Sequence, residues 1–147
     1  MARQKDIGIT ENFFKRDGRL NRWRYFKRSM LLGFMTFILG IAVSIIAIVF
    51  LNINIPNDIL VKFILVIMLI PYFCLTVRRL HDMDKDETFA YVYISLQLAY
   101  IIIGNFNQTE PSLLEKILSP FNLLLSLYIL LGHGTDGDNK YGSDPLE

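Results

Sequence analysis

The densest group of reactive side chains lies at residues 76–87, where two arginines, one histidine and four acids occur within twelve residues. His81 followed by Asp82 could support acid–base catalysis, because a carboxylate can orient an imidazole. Adjacent residues rarely hold that geometry, however, and no nucleophile lies near them in the sequence. A structural connector between two helices is therefore the first interpretation, with a binding or catalytic site as the alternative. We predict no catalytic residue.

The last sixteen residues combine acids with turn-forming residues. Asp136, Asp138 and Glu147 fall at positions 1, 3 and 12 of a calcium-binding loop. Lys140 and Tyr141 occupy positions 5 and 6, where such a loop needs an oxygen ligand and a glycine, which argues against calcium. The sequence also has no phosphate-binding glycine loop, no H-E-x-x-H zinc motif and no paired cysteines. We therefore predict no metal site and no cofactor.

A third group, residues 18–28, interleaves basic with aromatic side chains. In a soluble protein, arginines beside Trp23 and Tyr25 would suggest nucleic-acid binding through phosphate contacts and base stacking. Here the segment runs directly into an apolar stretch, and its apolar side chains recur every three or four residues, giving a helix an apolar stripe with basic flanks. An interfacial helix on anionic lipid headgroups accounts for both features, so we predict lipid rather than nucleic acid as its partner.

Long apolar stretches must position these groups, since 52% of the chain is hydrophobic. The candidate membrane-spanning helices are residues 30–51, 59–77, 88–104 and 113–131. The first has 22 residues without a charge, which reach about 33 Å as a helix, enough for a hydrocarbon core of roughly 30 Å. The third and fourth are weaker, because Gln97 lies in one and Glu115, Lys116 and Pro120 lie in the other. Three spans are the main alternative to four.

Basic residues are distributed unevenly among the segments between these runs. Thirteen of the 15 lysines and arginines lie before the first run, between the second and third, or in the tail, whereas the two other connections contain none. The positive-inside rule places the basic segments in the cytoplasm. We therefore predict an all-α, polytopic membrane protein. It is one domain over residues 1–147, with four transmembrane helices in two hairpins, an amino-terminal interfacial helix at 13–28 and a cytoplasmic tail at 132–147.

Three blocks carry a resemblance to a known family: residues 18–22 with the aromatic side chains that follow, 78–82 (Arg-Arg-Leu-His-Asp) and 137–145 (Gly-Asp-Asn-Lys-Tyr-Gly-Ser-Asp-Pro). Over residues 13–145 the chain resembles the YhaH-type family of small bacterial inner-membrane proteins, a domain of unknown function. The resemblance implies a four-helix domain in the bacterial inner membrane and no established activity. The chain departs from the family at 84–88, which is acidic where a small or glycine residue and an aromatic pair are usual.

All three blocks fall on the predicted cytoplasmic side. We therefore predict that they fold against one another into a polar cap, with Arg78 or Arg79 pairing with Asp138 or Asp144. The candidate functional face comprises Gly18, Arg19, Arg22, Arg78, Arg79, His81, Asp82, Asp138, Asn139, Tyr141 and Asp144.

Three functions remain open from the sequence. The favoured one is a non-enzymatic scaffold or regulatory partner whose cap binds another protein, a second copy of the chain or anionic lipid. The second is a small transporter or channel. The polar side chains available for its path are Tyr91, Tyr93, Ser95, Gln97 and Ser126. The third is a membrane enzyme or binder that acts on lipid headgroups at the inner leaflet through His81 and Asp82.

Overall fold

The computed structural model describes residues 8–50, 57–104 and 110–145, and the regular secondary structure of this part of the chain is helical apart from one isolated β-bridge between Asn139 and Gly142. The elements are α1 (Ile9–Phe13), α2 (Arg22–Ile45), a π-helical continuation of α2 (Ile46–Phe50), α3 (Asn57–Asp82), α4 (Thr88–Ile103) and α5 (Leu113–Leu131). The predicted all-helical class is therefore confirmed for the described residues.

Side-chain hydrogen bonds support the first turns of α2, at its N-cap Asn21, and of α4, from the residue before its N-cap. The Asn21 side chain accepts a hydrogen bond of 2.9 Å from the backbone N–H of Arg24. The Asp86 carboxylate accepts one of 2.9 Å from the backbone N–H of Thr88. Each bond satisfies an N–H group that has no partner within its own helix.

α5 begins with a reciprocal capping box. The backbone N–H of Glu115 donates to the Ser112 hydroxyl at 3.3 Å, and the backbone N–H of Ser112 donates to the Glu115 carboxylate at 2.7 Å. The helix then continues through Pro120. The apolar residues before that proline therefore belong to α5.

Three of the helices are long and apolar enough to cross a membrane: α2 with its continuation, α3 and α5. α4 has 16 residues, which correspond to about 24 Å, so it is shorter than a typical hydrocarbon core. Most large apolar side chains of α2 are exposed on the surface of the molecule, as expected for a helix that faces lipid. The fourth span and the two-hairpin layout remain predictions.

The helices pack in chain order, α2 on α3, α3 on α4 and α4 on α5, and α5 also contacts α2. The apolar side chains with no exposed surface concentrate around the carboxy-terminal end of α3. They are Leu20, Leu75, Val77, Leu80 and Ala90. This core fixes the segment before α2 against the end of α3, which places two blocks of the candidate functional face side by side.

The amino-terminal segment differs from the predicted continuous interfacial helix over 13–28. α1 ends at Phe13 and α2 begins at Arg22, so a non-helical turn separates them. Gly18 lies in this turn with φ of +87°, a left-handed conformation that glycine adopts without steric cost. The turn directs Arg19 inward, where the residue is 6% exposed. The interior partners of Arg19 explain why the chain leaves the helical path here.

Candidate functional site

Asp82, at the end of α3, lies at the centre of the site. Its Oδ1 accepts a hydrogen bond of 3.2 Å from Arg19 Nε, and Arg19 Nη2 is 3.2 Å from the same oxygen. Its Oδ2 accepts a hydrogen bond of 2.6 Å from Arg79 Nη1. The side chains of Arg19 and Arg79 are each 1% exposed and that of Asp82 is 5% exposed. One carboxylate therefore pairs with two buried guanidinium groups, and charge-assisted bonds of this kind are the stronger class of hydrogen bond.

The other N–H groups of the two arginines bond to backbone carbonyls. Arg79 Nε donates to the carbonyl of Ile129 at 2.9 Å, and Arg79 Nη2 donates to the carbonyl of Gly132. Arg19 Nη2 donates to the carbonyl of Thr135 at 2.5 Å. Carbonyls in the last turn of a helix have no intrahelical partner and carry the negative end of the helix dipole. Arg79 therefore caps α5, and Arg19 fixes the tail that follows it.

The tail returns hydrogen bonds to the end of α3. Both the backbone N–H and the hydroxyl of Thr135 donate to the carbonyl of Asp82, at 2.7 and 3.1 Å. The Asn139 side-chain amide donates to the carbonyl of His81 at 2.9 Å. We call this assembly the polar cap and define it as residues 18–20, 78–82 and 132–144.

His81 packs against the tail rather than joining Asp82 in a catalytic pair. Its ring stacks on Tyr141 with 3.8 Å between centroids and 7° between planes. Its Nδ1 lies 3.3 Å from the carbonyl of Gly18, and its Nε2 is buried with no hydrogen-bond partner in the described part of the chain. The hydrogen bonds of the two side chains therefore go to different groups.

Close packing between the tail and Asp82 depends on Gly134. A Cβ atom at this position would overlap the Asp82 carboxylate, which the two arginines hold in place. A side chain at Gly132 would likewise meet the end of the Met83 side chain. Gly134 therefore permits the tail to lie directly on the end of α3, and Gly132 permits the chain to leave α5 close to Met83 and the Tyr128 carbonyl.

Two acids of the tail, Asp138 and Asp144, stabilise its own turn. Asp138 accepts a hydrogen bond of 3.2 Å from the backbone N–H of Asp144, and Asp144 accepts one of 3.0 Å from the backbone N–H of Gly137. Lys140 lies on the outside, 3.8 Å from Asp84, and its hydrogen bond with Tyr141 raises its pKa.

The structure brings most of the candidate functional face together in the polar cap. Arg22 is exposed in the first turn of α2 and borders the cap, because it lines a surface pocket together with Arg79 and Asp82. Arg79 is paired with Asp82 instead of the predicted Asp138 or Asp144. Arg78 donates from its guanidinium to the carbonyl of Glu11 at 3.0 Å.

Sequence reasoning missed the contribution of Gly134 and Thr135, since neither has a distinctive motif. The spacing of Arg79 and Asp82, three residues apart on one helix face, could have indicated their pairing.

A second feature lies among the apolar helices: a cavity of about 850 Å³ between α2, α3, α4 and α5. No charged residue is among those that line it. Its polar lining includes Thr36, Ser44, Tyr93, Gln97, Tyr100 and Ser126. Of the residues predicted for a transport path, Tyr93, Gln97 and Ser126 reach this cavity, whereas Tyr91 and Ser95 are not among its lining.

Comparison with known proteins identifies relatives over nearly the whole chain. A family described as "Protein of unknown function (DUF805)" matches residues 13–143. Inner membrane protein YhaI of Escherichia coli (strain K12) is 24% identical over 139 residues, which cover 95% of this chain and 92% of that protein, and YhaI of Escherichia coli O157:H7 matches to the same extent. No solved structure matches. The expected relation to a bacterial inner-membrane protein of unknown function is confirmed, and the narrower YhaH-type assignment stays a prediction.

Proposed function

Because the chain belongs to the DUF805 family of proteins of unknown function, we propose that it is a multi-pass bacterial inner-membrane protein that acts as a non-enzymatic scaffold or regulatory partner. In this proposal four helices span the membrane in two hairpins and both termini are cytoplasmic. The polar cap is then the cytoplasmic surface that meets a partner.

The observation that carries the proposal is the buried Arg19–Asp82–Arg79 network. It joins the segment before α2, the end of α3 and the tail after α5 into one body. A preformed surface loses little conformational entropy when a partner binds, which favours recognition. The outer face of this body presents Asp138 and Lys140, both exposed, to the surroundings.

The contacts of His81 and Asp82 support a binding rather than a catalytic role. Both Asp82 oxygens accept hydrogen bonds from arginines, and the His81 ring stacks on Tyr141. A general base needs to reach the proton that it removes, and here both side chains are buried and committed to the fold.

Site-specific photo-crosslinking in living cells tests the proposal. A photoreactive amino acid at Asp138, on the outer face of the cap, should give one discrete crosslinked adduct with a protein. The crosslinked protein would be either a second copy of this chain or a different protein. The matched control is the same amino acid at Leu123, an exposed position on α5. Absence of a protein adduct at Asp138, or an equal yield of the same adduct at Leu123, would contradict the scaffold role.

Anionic lipid is a further partner that we propose for the first turns of α2. Trp23 is 60% exposed, its ring stacks on Phe26 at 5.7 Å, and the Lys27 ammonium lies 5.0 Å from its ring centroid. Aromatic and basic side chains together suit the membrane interface. Phosphatidylglycerol added to the purified protein should raise its melting temperature, and Arg24→Gln/Lys27→Gln should reduce that increase. The electrostatic contact would be excluded if the increase in melting temperature stayed the same at high salt and in the doubly substituted protein.

A small transporter is the second candidate function, favoured by the polar side chains that meet in the intramembrane cavity. An ion channel is less suitable, because no charged residue lines that cavity. The single cysteine of the chain, Cys74, is first replaced by alanine so that it does not react. In that background, Gln97→Cys should react with a membrane-impermeant maleimide if the cavity is a water-filled path. Protection from the reagent on both sides of the membrane would exclude such a path.

A further inference from the structure

We propose that the cavity between α2, α3, α4 and α5 binds a neutral membrane lipid whose head carries a carbonyl group, such as a quinone or a glyceride. The proposal rests on the membrane placement given above and does not depend on a partner at the polar cap. It assigns a ligand to a part of the molecule that the scaffold role leaves unused.

The size and lining of the cavity define the ligand class. Its volume of about 850 Å³ lies within the range of small-molecule sites, which are mostly apolar with a few polar groups. A charged ligand would need a counter-charge in this apolar setting, and no lining residue carries one. The occupant is therefore neutral and largely apolar, which describes a molecule that enters from the bilayer.

Polar groups on one face of α4 provide a place for the head of the ligand. Tyr93, Gln97 and Tyr100 are spaced by four and three residues, so they lie along one side of the helix. Tyr93 is engaged by Ser126 on α5, at 2.9 Å, whereas the Gln97 amide offers two N–H donors and Tyr100 offers a hydroxyl. A set rich in donors fits a carbonyl oxygen, which only accepts.

A buried amide on α5 lies one helical turn from the cavity. Asn122 lies one turn from Ser126, is 8% exposed, and neither atom of its amide has a hydrogen-bond partner in the described part of the chain. Buried amides are normally paired, because an unpaired one loses its hydration without compensation. Asn122 is itself not among the residues that line the cavity, which α5 reaches at Ser126; a carbonyl oxygen that extended one turn further would accept from the N–H group of this amide.

Two glycines keep the cavity open on the α2 side. Gly33 and Gly40 line it, and a Cβ atom at either position would meet nothing within 4 Å. Glycine in membrane helices usually permits another helix to approach closely, and within the described residues no such approach occurs here. Glycine at these two positions therefore leaves space on the α2 side that the proposed ligand would occupy.

Binding to the purified full-length protein in detergent tests the proposal. The probes are decylubiquinone and dioctanoylglycerol, which are neutral and carry carbonyl groups, and dioctanoyl phosphatidate, which is charged. Binding is measured through the change that each probe causes in the melting temperature of the protein. We expect saturable binding of at least one neutral probe. We expect phosphatidate to bind at least tenfold more weakly than that probe. The better neutral probe identifies the quinone or the glyceride as the source. Equal binding of phosphatidate, or no binding of either neutral probe, would overturn the proposal.

Substitutions locate the bound probe. Gly40→Leu fills the cavity and removes a helix glycine, so the variant should fold at least as well as the parent protein and lose binding. Leu39→Phe adds bulk at an exposed position outside the lining and is the matched control. Gln97→Leu should weaken binding roughly fivefold by removing a hydrogen bond. Binding by a folded Gly40→Leu variant that equals the parent protein would overturn the site, while the Asp138 crosslink separately tests the scaffold role.

Discussion

At the scale of single residues, Asp82 is the group on which the polar cap depends. Two guanidinium groups and one carboxylate are buried together, and the arginine N–H groups not used by Asp82 reach backbone carbonyls. Burying three charges costs much of what their attraction provides, so the set is stabilising only when complete. Removing the carboxylate would leave two guanidinium groups facing each other without a counter-charge.

We expect Asp82→Ala to destabilise the protein by about 3–5 kcal/mol, because it leaves buried charges unpaired. Thermal unfolding of the purified protein in detergent measures the loss. The double variant Arg79→Ala/Asp82→Ala should be no less stable than Asp82→Ala, since the two groups act as a pair. Lys116→Ala is the control, because its pair with Glu110 is exposed and 3.9 Å long, and exposed pairs contribute about 0–1 kcal/mol. Strictly additive losses at the two cap positions would show that they do not interact.

Asp84, two residues after Asp82, has a φ of +55°, a conformation that glycine adopts without steric cost. We expect Asp84→Gly to hold or raise the melting temperature, because glycine adopts this conformation without strain. Asp84→Val should lower the melting temperature, because it should reduce the free energy of unfolding by roughly 1–2 kcal/mol. The reason is that a β-branched residue is strained at positive φ. If both variants melted at the same temperature, backbone strain at this turn would be excluded.

The ion pairs of the cap show which part of a site sequence reasoning can reach. Arg79 and Asp82 are close in sequence on one helix, so their contact follows from helix geometry. Arg19 is 63 residues from Asp82, and its position depends on a turn at Gly18 and on burial of Leu20. Such contacts are set by the packing of distant segments, which a local pattern does not contain. The three blocks could be predicted to meet, but not which acid would pair with which arginine.

At the scale of elements, hydropathy predicted the helices well because long apolar runs have few alternatives in a membrane. It was less informative at their ends. α3 continues to Asp82 beyond its apolar run because the polar residues of its last turn are paired inside the fold. Conversely, residues 13–28 were expected to form one helix. In the structure a non-helical turn, in which the Arg19 side chain points inward, separates α1 from α2.

The seating of the tail on α3 is an element-scale property that Gly134 controls. We expect Gly134→Ala to destabilise the protein by roughly 1–3 kcal/mol and to expose the tail, because a methyl group there overlaps the Asp82 carboxylate. Limited proteolysis followed by mass spectrometry would show faster cleavage after α5. Gly33→Ala is the control, since a methyl group at that position meets nothing within 4 Å. Equal cleavage rates in the two variants would mean that the contact does not hold the tail.

At the scale of the whole molecule, the number of spans decides how the parts relate. Three described helices have the length and composition of a membrane span, and α4 is shorter. If α4 also crosses the bilayer, the segment before α2 and the tail after α5 lie on the same side of it. Because these two segments contact each other in the polar cap, they must lie on the same side. Contact between residues before α2 and after α5 therefore supports an even number of crossings between them.

Reporter fusions measure the topology directly. A reporter that is active only in the periplasm should be active after Asn54 or Asn107 and silent after Lys85 or Glu147. The basic segments explain this pattern through the positive-inside rule. Asn54, Asn107 and Glu147 lie outside the described residues, so the fusions also extend the topology to those positions. Activity after Glu147 would mean three spans and would contradict the four-helix proposal.

The pairing of Arg19 and Arg79 with the tail also sets an order in which the fold can be completed during synthesis. Both arginines leave the ribosome before Gly132 and Thr135 do, so until then they lack carbonyls that complete their hydrogen bonds. A chain that stops at the end of α5 keeps Asp82 and the Ile129 carbonyl but loses the tail carbonyls that accept from Arg19 and Arg79. Loss of stability lowers the abundance of a protein in cells, because its unfolded fraction is degraded. We therefore expect a chain truncated at the end of α5 to be degraded faster than the untruncated chain.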